Sequence, residues 1–238
     1  MKNAKKTMAL CAAILMSTVA VAQDGLSVRV GGSFPVGTFA QGNAADMALW
    51  TQMSEYGAAA TGFNVGVKYQ LELLSGLSAF ASTDLFYSGL NEEVNETFKS
   101  DNVTLPSYMN IPVMVGANYA LLDILGTTLW VEAGAGVNFR NITASEVSAA
   151  VGSLISGNTT SEYNFTTSFA WQAGIGVSLL DKISVGVHYY GLGAAEISGE
   201  TTTSADLGGL LNSTTKPIEF TAGNLNPSMV VVRLGYTF

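Results

Sequence analysis

Apolar and polar residues alternate with a period of two in eight separate stretches of this chain. That is the spacing of strands whose two faces meet different surroundings. The last stretch, Met229 to Phe238, places Val230, Val232, Leu234, Tyr236 and Phe238 on one face, and Val231, Arg233, Gly235 and Thr237 on the other. The same pattern predicts strands over 26–34, 63–72, 77–88, 110–119, 129–140, 169–179 and 183–190. Pro112 is awkward within the fourth, because proline removes a ladder donor.

One parity of these stretches carries no Asp, Glu, Lys, Arg or His. Every charge within the strands falls on the other parity, beside many glycines. A soluble barrel with an apolar pocket would show the reverse, charged outside and greasy within. The connections alternate long and short, as outer loops and inner turns do in an up-and-down barrel. The expected fold is therefore all-β, an eight-stranded antiparallel transmembrane barrel with four long outer loops. Phe34, Phe63, Tyr87, Phe139, Phe169 and Tyr189 would form one aromatic girdle; Tyr69, Tyr119, Tyr236 and Phe238 would form the other. Eight strands leave a lumen that side chains can fill, so an open pore is not expected.

The amino terminus follows a different rule. Lys2, Lys5 and Lys6 precede an apolar run from Met8 to Val19, and Ala20-Val21-Ala22 forms an A-x-A site. This predicts a signal peptide over 1–22, a barrel domain over 23–238 and export to the outer membrane of a Gram-negative-type cell. Cys11 is the only cysteine and lies in that leader. Thiol-based chemistry is then excluded from the mature chain. Losing the three lysines takes the formal charge from −8 to −11. So acidic a chain, with no basic patch, argues against nucleic acid as a partner.

YMNIPVMVGANY (108–119), LWVEAGAGVNF (129–139) and AWQAGIGVSLLDKISVGVHYY (170–190) resemble the porin-like outer-membrane β-barrel domain family, similar in form to OmpA- and OmpX-type barrels. The resemblance implies a barrel embedded in the outer-membrane bilayer and no common catalytic activity. With the chain ending at Phe238, the peptidoglycan-binding module of full OmpA-type proteins is expected to be absent. The aromatic ending, Tyr236 and Phe238, resembles the signal by which the barrel-insertion machinery recognises its clients.

No catalytic, cofactor or metal site is expected. His188, the only histidine, falls on the lumen parity and lacks the partner spacing of known barrel enzymes, so it reads as a hydrogen-bonding group. Gly134 and Gly136 lie inside a strand and read as lumen packing, not dinucleotide binding. Six Asn-x-Ser/Thr matches fall in or beside Ser/Thr/Asn-rich loops and follow from that composition. The loops hold Asp46, Glu55, Glu92, Glu93, Glu96, Asp101, Glu146, Glu162, Glu196, Glu200, Asp206 and Glu219 against Lys99 and Lys216. That excess fits a solvated surface; a sharper reading is recruitment of divalent cations or basic surface partners.

The most specific expectation concerns the lumen. Arg29, Lys68 and Arg233 lie on strands that become neighbours when the barrel closes, with Glu132 across from them. A narrow lumen brings such groups together, and burying them unpaired is costly. Glu132 should bond at least one of the three bases, with Asp84 and Glu72 as further partners, and the cluster should plug the barrel. The function expected is structural or surface-interacting; alternatives are a narrow channel for small solutes, or a part in a secretion or surface-assembly machine.

Overall fold

The computed structural model describes residues 25–42, 56–98, 103–151, 155–206, 212–214 and 218–238. The leader expected over 1–22, Cys11 and a short helix expected within AADMALWTQM (44–53) lie outside these residues. The strands are β1 (Leu26–Val36), β2 (Gly62–Leu74), β3 (Leu77–Ser88), β4 (Val103–Thr104), β5 (Tyr108–Ile124), β6 (Thr127–Ile142) and β7 (Ser145–Val151). They continue with β8 (Ile155–Tyr163), β9 (Thr166–Leu179), β10 (Ile183–Gly191), β11 (Ala195–Asp206), β12 (Asn212–Thr214), β13 (Ile218–Leu225) and β14 (Ser228–Thr237).

Eight of these close into an antiparallel barrel in the order β1-β14-β10-β9-β6-β5-β3-β2. The first and last strands form the seam, with Val28 opposite Tyr236 and Phe34 opposite Val230. All eight expected strands are present, and most run longer than their alternation predicts. The outward parity is apolar and open: Val30, Phe63, Val115, Phe169, Val185 and Leu234 are all exposed. The inward parity is buried and polar, holding Arg29, Asn64, Lys68, Asp84, Glu132, Gln172, His188 and Arg233. Such a belt is the solution for a sheet that faces lipid and fills its own interior.

Pro112 sits inside β5 after all. Between β3 and β5 the register runs through Thr83–Val113 and resumes at Phe86–Asn110. The β3–β5 ladder is thus interrupted where Pro112 faces Asp84, and proline has no N–H to give to it.

The long connections differ from expectation. Three of them, read as long loops, contribute strands to a second sheet ordered β12-β11-β8-β7-β4, with β13 paired to β11. β7 and β8 follow β6 and precede β9 with breaks of only two residues, so the sheet stands on the barrel's outer end. Its faces are held by hydroxyl pairs, Thr159 with Thr203 and Ser161 with Thr201. Cross-strand Thr and Ser pairs stabilise strands without any apolar alternation. A helix, α1 (Glu92–Phe98), lies in another connection, its first turn capped by the Asn91 side chain on the Val94 N–H at 3.0 Å.

Between outer sheet and lumen the connections pack inward. Phe39, Ala58, Leu90, Val94, Tyr108, Ile142, Leu192, Leu225 and Met229 form one buried apolar cluster. Phe39 meets Tyr108 edge-on at 5.1 Å, and the Tyr108 hydroxyl donates to the Gly57 carbonyl at 2.6 Å. Arg140, 1% exposed, donates to the Leu225 carbonyl at 2.9 Å, the Gly193 carbonyl at 2.8 Å and the Asn110 Oδ1 at 3.3 Å. It thereby ties both ends of the last connection to the rim.

Candidate functional site

Below the apolar cluster, inward side chains from every barrel strand converge. The sequence places a glycine beside the long polar ones, and the reason is geometric. In one row Glu132 pairs with Gly174 and Gly174 with His188. A Cβ at Gly174 would occupy the imidazole's place, so the bare backbone lets His188 lie across it to Glu132. Gly66 does the same between Arg29 and Asp84, where a Cβ would displace the Asp84 carboxylate.

Two carboxylates anchor the cluster. Asp84 accepts from Arg29 at 2.9 Å, from Arg233 at 3.2 Å and from the Tyr190 hydroxyl at 3.1 Å. Glu132 accepts from Lys68 at 2.7 Å, from His188 Nε2 at 2.8 Å and from Gln172 at 3.3 Å, with Arg29 at 4.0 Å. Arg233 also donates to the Tyr190 oxygen, and through its Nε to His188 Nδ1 at 3.0 Å. A guanidinium nitrogen only donates, so Nδ1 must accept. The proton then sits on Nε2 and the imidazole is neutral. Three cations against two carboxylates leave the cluster at +1.

Aromatic faces complete the enclosure. The Lys68 ammonium lies 5.0 Å from the Phe80 ring centre and 5.6 Å from that of Trp130. The Arg233 guanidinium lies 5.2 Å from the Tyr190 ring centre, within the range where a cation gains from a π-face. Phe86 packs edge-on to Tyr190 at 5.0 Å and joins the cluster to the apolar layer above.

Glu132, Arg29, Lys68, Arg233 and Asp84 are thus brought together. Glu72 is not: it is exposed near the inner turns and lines the mouth of a cavity instead. The reason is depth, since Glu72 lies four residues nearer the β2 turn than Lys68. That cavity, about 500 Å³, is floored by Arg29, Lys68, Glu132, His188 and Arg233 and walled by Ser78, Asn118, Thr128, Trp130, Ser178 and Ser184. Its lining reaches the turn residues Gly76 and Asp181, so it opens at the turn end.

Sequence reasoning missed Tyr190, Gln172 and the second bond of His188. Their parity marks them as inward, but alternation carries no information on which inward groups meet across the lumen. Chemically the cluster has no spare base, because both His188 nitrogens and both carboxylates are engaged in bonds within it. Among the described residues no group of three or more His, Cys, Asp or Glu is gathered that could hold a metal ion. Tyr236 and Phe238 meet edge-on at 5.4 Å on the outward face.

Closed strand order, apolar outer belt and polar, ion-paired interior define an eight-stranded β-barrel of the transmembrane type. No protein-family model and no curated protein matches the chain. Among solved structures it is similar to Ail, the attachment invasion locus protein of Yersinia pestis, at 14% identity and a TM-score of 0.40, covering 91% of this chain and 100% of that one. It is also similar to a major outer membrane protein from Thermus thermophilus, at 13% identity and a TM-score of 0.38, covering 90% and 98%. Scores this low add nothing to the strand order, which establishes the fold by itself.

Proposed function

We propose that this chain is an exported outer-membrane barrel, closed to solute flow, that acts through the sheet and acidic loops on its outer end and carries out no catalysis. The observation that carries this reading is the lumen. Its middle is filled by the Asp84 and Glu132 clusters, and its outer half by the apolar layer around Phe39, Tyr108 and Leu225. What remains available is the outer surface, where Glu92, Glu93, Glu146, Glu162, Glu196, Glu200 and Glu219 are exposed. Basic surface partners fit that charge better than acidic ones. The leader over 1–22 would direct export, and Tyr236 with Phe238 would present the ending read by the insertion machinery.

A narrow channel is the second reading, favoured by the 500 Å³ cavity at the turn end. It requires the ion cluster and the apolar layer to part. Planar-bilayer recording on the refolded chain separates the two. The closed reading expects a baseline without steps, and stable unitary conductance would overturn it.

A further inference from the structure

Inner turns of a spanning barrel are expected to stand in water, and polar residues serve there. The three inner turns of this chain each hold an exposed leucine in the turn or at its strand end, beside the polar Ser75, Asp181 and Lys182. Leu125 is 97% exposed, Leu180 76% and Leu74 68%. Leu125 and Leu180 both hold a φ of +53°, a left-handed conformation in which glycine or asparagine would be the unstrained choice. Neither packing within the chain nor backbone preference accounts for leucine at these two points.

Two β-bulges point the same way. On β5, Val113, Val115, Ala117 and Tyr119 face out, so simple alternation would turn Leu122 and Ile124 inward and Asp123 outward. The register shift between Ala120 and Leu122 reverses this: Leu122 pairs with outward Leu129, Ile124 with Thr127, and Asp123 with Thr128 of the cavity wall. On β2 the shift between Glu72 and Leu74 likewise sets Leu74 opposite outward Leu77. Each bulge moves leucine onto the outer face at the turn end.

The tips are also tied to one another. The Ala120 N–H donates to the Gly76 carbonyl at 2.7 Å, and the Leu180 N–H to the Gly126 carbonyl at 2.6 Å. They form a fixed rim continuous with the apolar belt. At a rise of about 2.6 Å per residue along the axis of a tilted strand, the outward apolar run from Ile111 to Ile124 stands roughly 30 Å tall. The run from Leu26 to Val36 at the seam stands about 26 Å, close to the belt of about 25 Å in barrels of this type.

We propose that the leucine-bearing turns, with Leu74, Leu125 and Leu180 beside Leu122 and Ile124, are a lipid-contacting rim seated in the inner leaflet. The occupant is a lipid surface because Leu122 and Leu74, set opposite outward Leu129 and Leu77, carry the lipid-facing belt on to the turns. The proposal rests on the spanning reading above.

The test uses single cysteines in a Cys11→Ser background: Leu125→Cys and Leu180→Cys at the rim, Val115→Cys in the belt and Thr203→Cys on the outer sheet. Each is labelled with an environment-sensitive dye and refolded into dioleoylphosphatidylcholine vesicles. Brominated acyl chains should quench both rim dyes to at least half the extent seen at position 115, with little quenching by aqueous iodide. Rim dyes quenched by iodide as strongly as that at position 203, with position 115 still lipid-quenched, would overturn the rim and leave the spanning reading standing. Loss of lipid quenching at position 115 would overturn both. Rim dyes shielded from both quenchers would indicate a second copy in place of lipid and would also overturn it. Leu125→Asn adds a label-free measurement, since asparagine suits the left-handed turn. Its midpoint of unfolding from vesicles should fall below the parent's, and an unchanged or raised midpoint would place the tip in water.

Discussion

Glu132 is where four strands exchange hydrogen bonds, and its removal is the sharpest perturbation the lumen allows. Glu132→Ala would leave Lys68 buried without its partner at 2.7 Å and His188 without its acceptor. Breaking one side of a buried pair costs about 3–5 kcal/mol. Urea titration of the refolded barrel should show that loss, and Glu132→Ala with Lys68→Met should lose clearly less than the two single changes together. Additive losses would mean that the pair is not coupled. This pairing was legible in the sequence because only one parity carries charge and an eight-stranded lumen is narrow. The division of labour was not legible. Arg233 goes to Asp84 and not to Glu132 because the row Glu132–Gly174–His188 brings the imidazole in first. Glycines beside the charged positions were visible, but reading them as landing places for side chains needs the strand register.

At the scale of elements the outward and inward faces should respond oppositely. Val113→Arg and Val232→Arg place a cation on the apolar face and should each cost about 2–4 kcal/mol in vesicle-unfolding titrations. Ser82→Ala on the inward face removes a buried hydroxyl that lacks a hydrogen-bond partner, and should be neutral or stabilising. Equal losses on both faces would contradict the belt. Arg140 tests the outer end: Arg140→Met would orphan the Leu225 and Gly193 carbonyls, so limited proteolysis should cut residues 192–227 sooner while the barrel core resists. Cleavage at parental rates would show that the apolar layer alone holds those segments. The barrel strands were legible because lipid on one side and ions on the other enforce alternation. The outer sheet was not, since β8 and β11 have water to satisfy and are held by Ser and Thr pairs. Nor were the bulges, which reverse parity within one residue and so look like the end of a strand.

As a whole molecule the barrel is asymmetric along its axis, sealed outside by apolar packing and hollow at the turn end. The seam joins the first strand to the last, and Asp84 binds one cation from each side of it, Arg29 of β1 and Arg233 of β14. The contact from Asp84 to Arg233 spans 149 positions of the chain. It cannot form until β14 has docked, so this electrostatic bond is a product of closure and contributes nothing to approaching it. A contact absent from the transition state changes the rate of opening and leaves the rate of assembly alone. Arg233→Met, which removes only bonds that need β14, should therefore speed unfolding from vesicles, while the time course of insertion, followed by gel mobility, stays at the parental rate. If insertion slows in the same proportion, the two ends of the chain must find each other before the strands between them are in place.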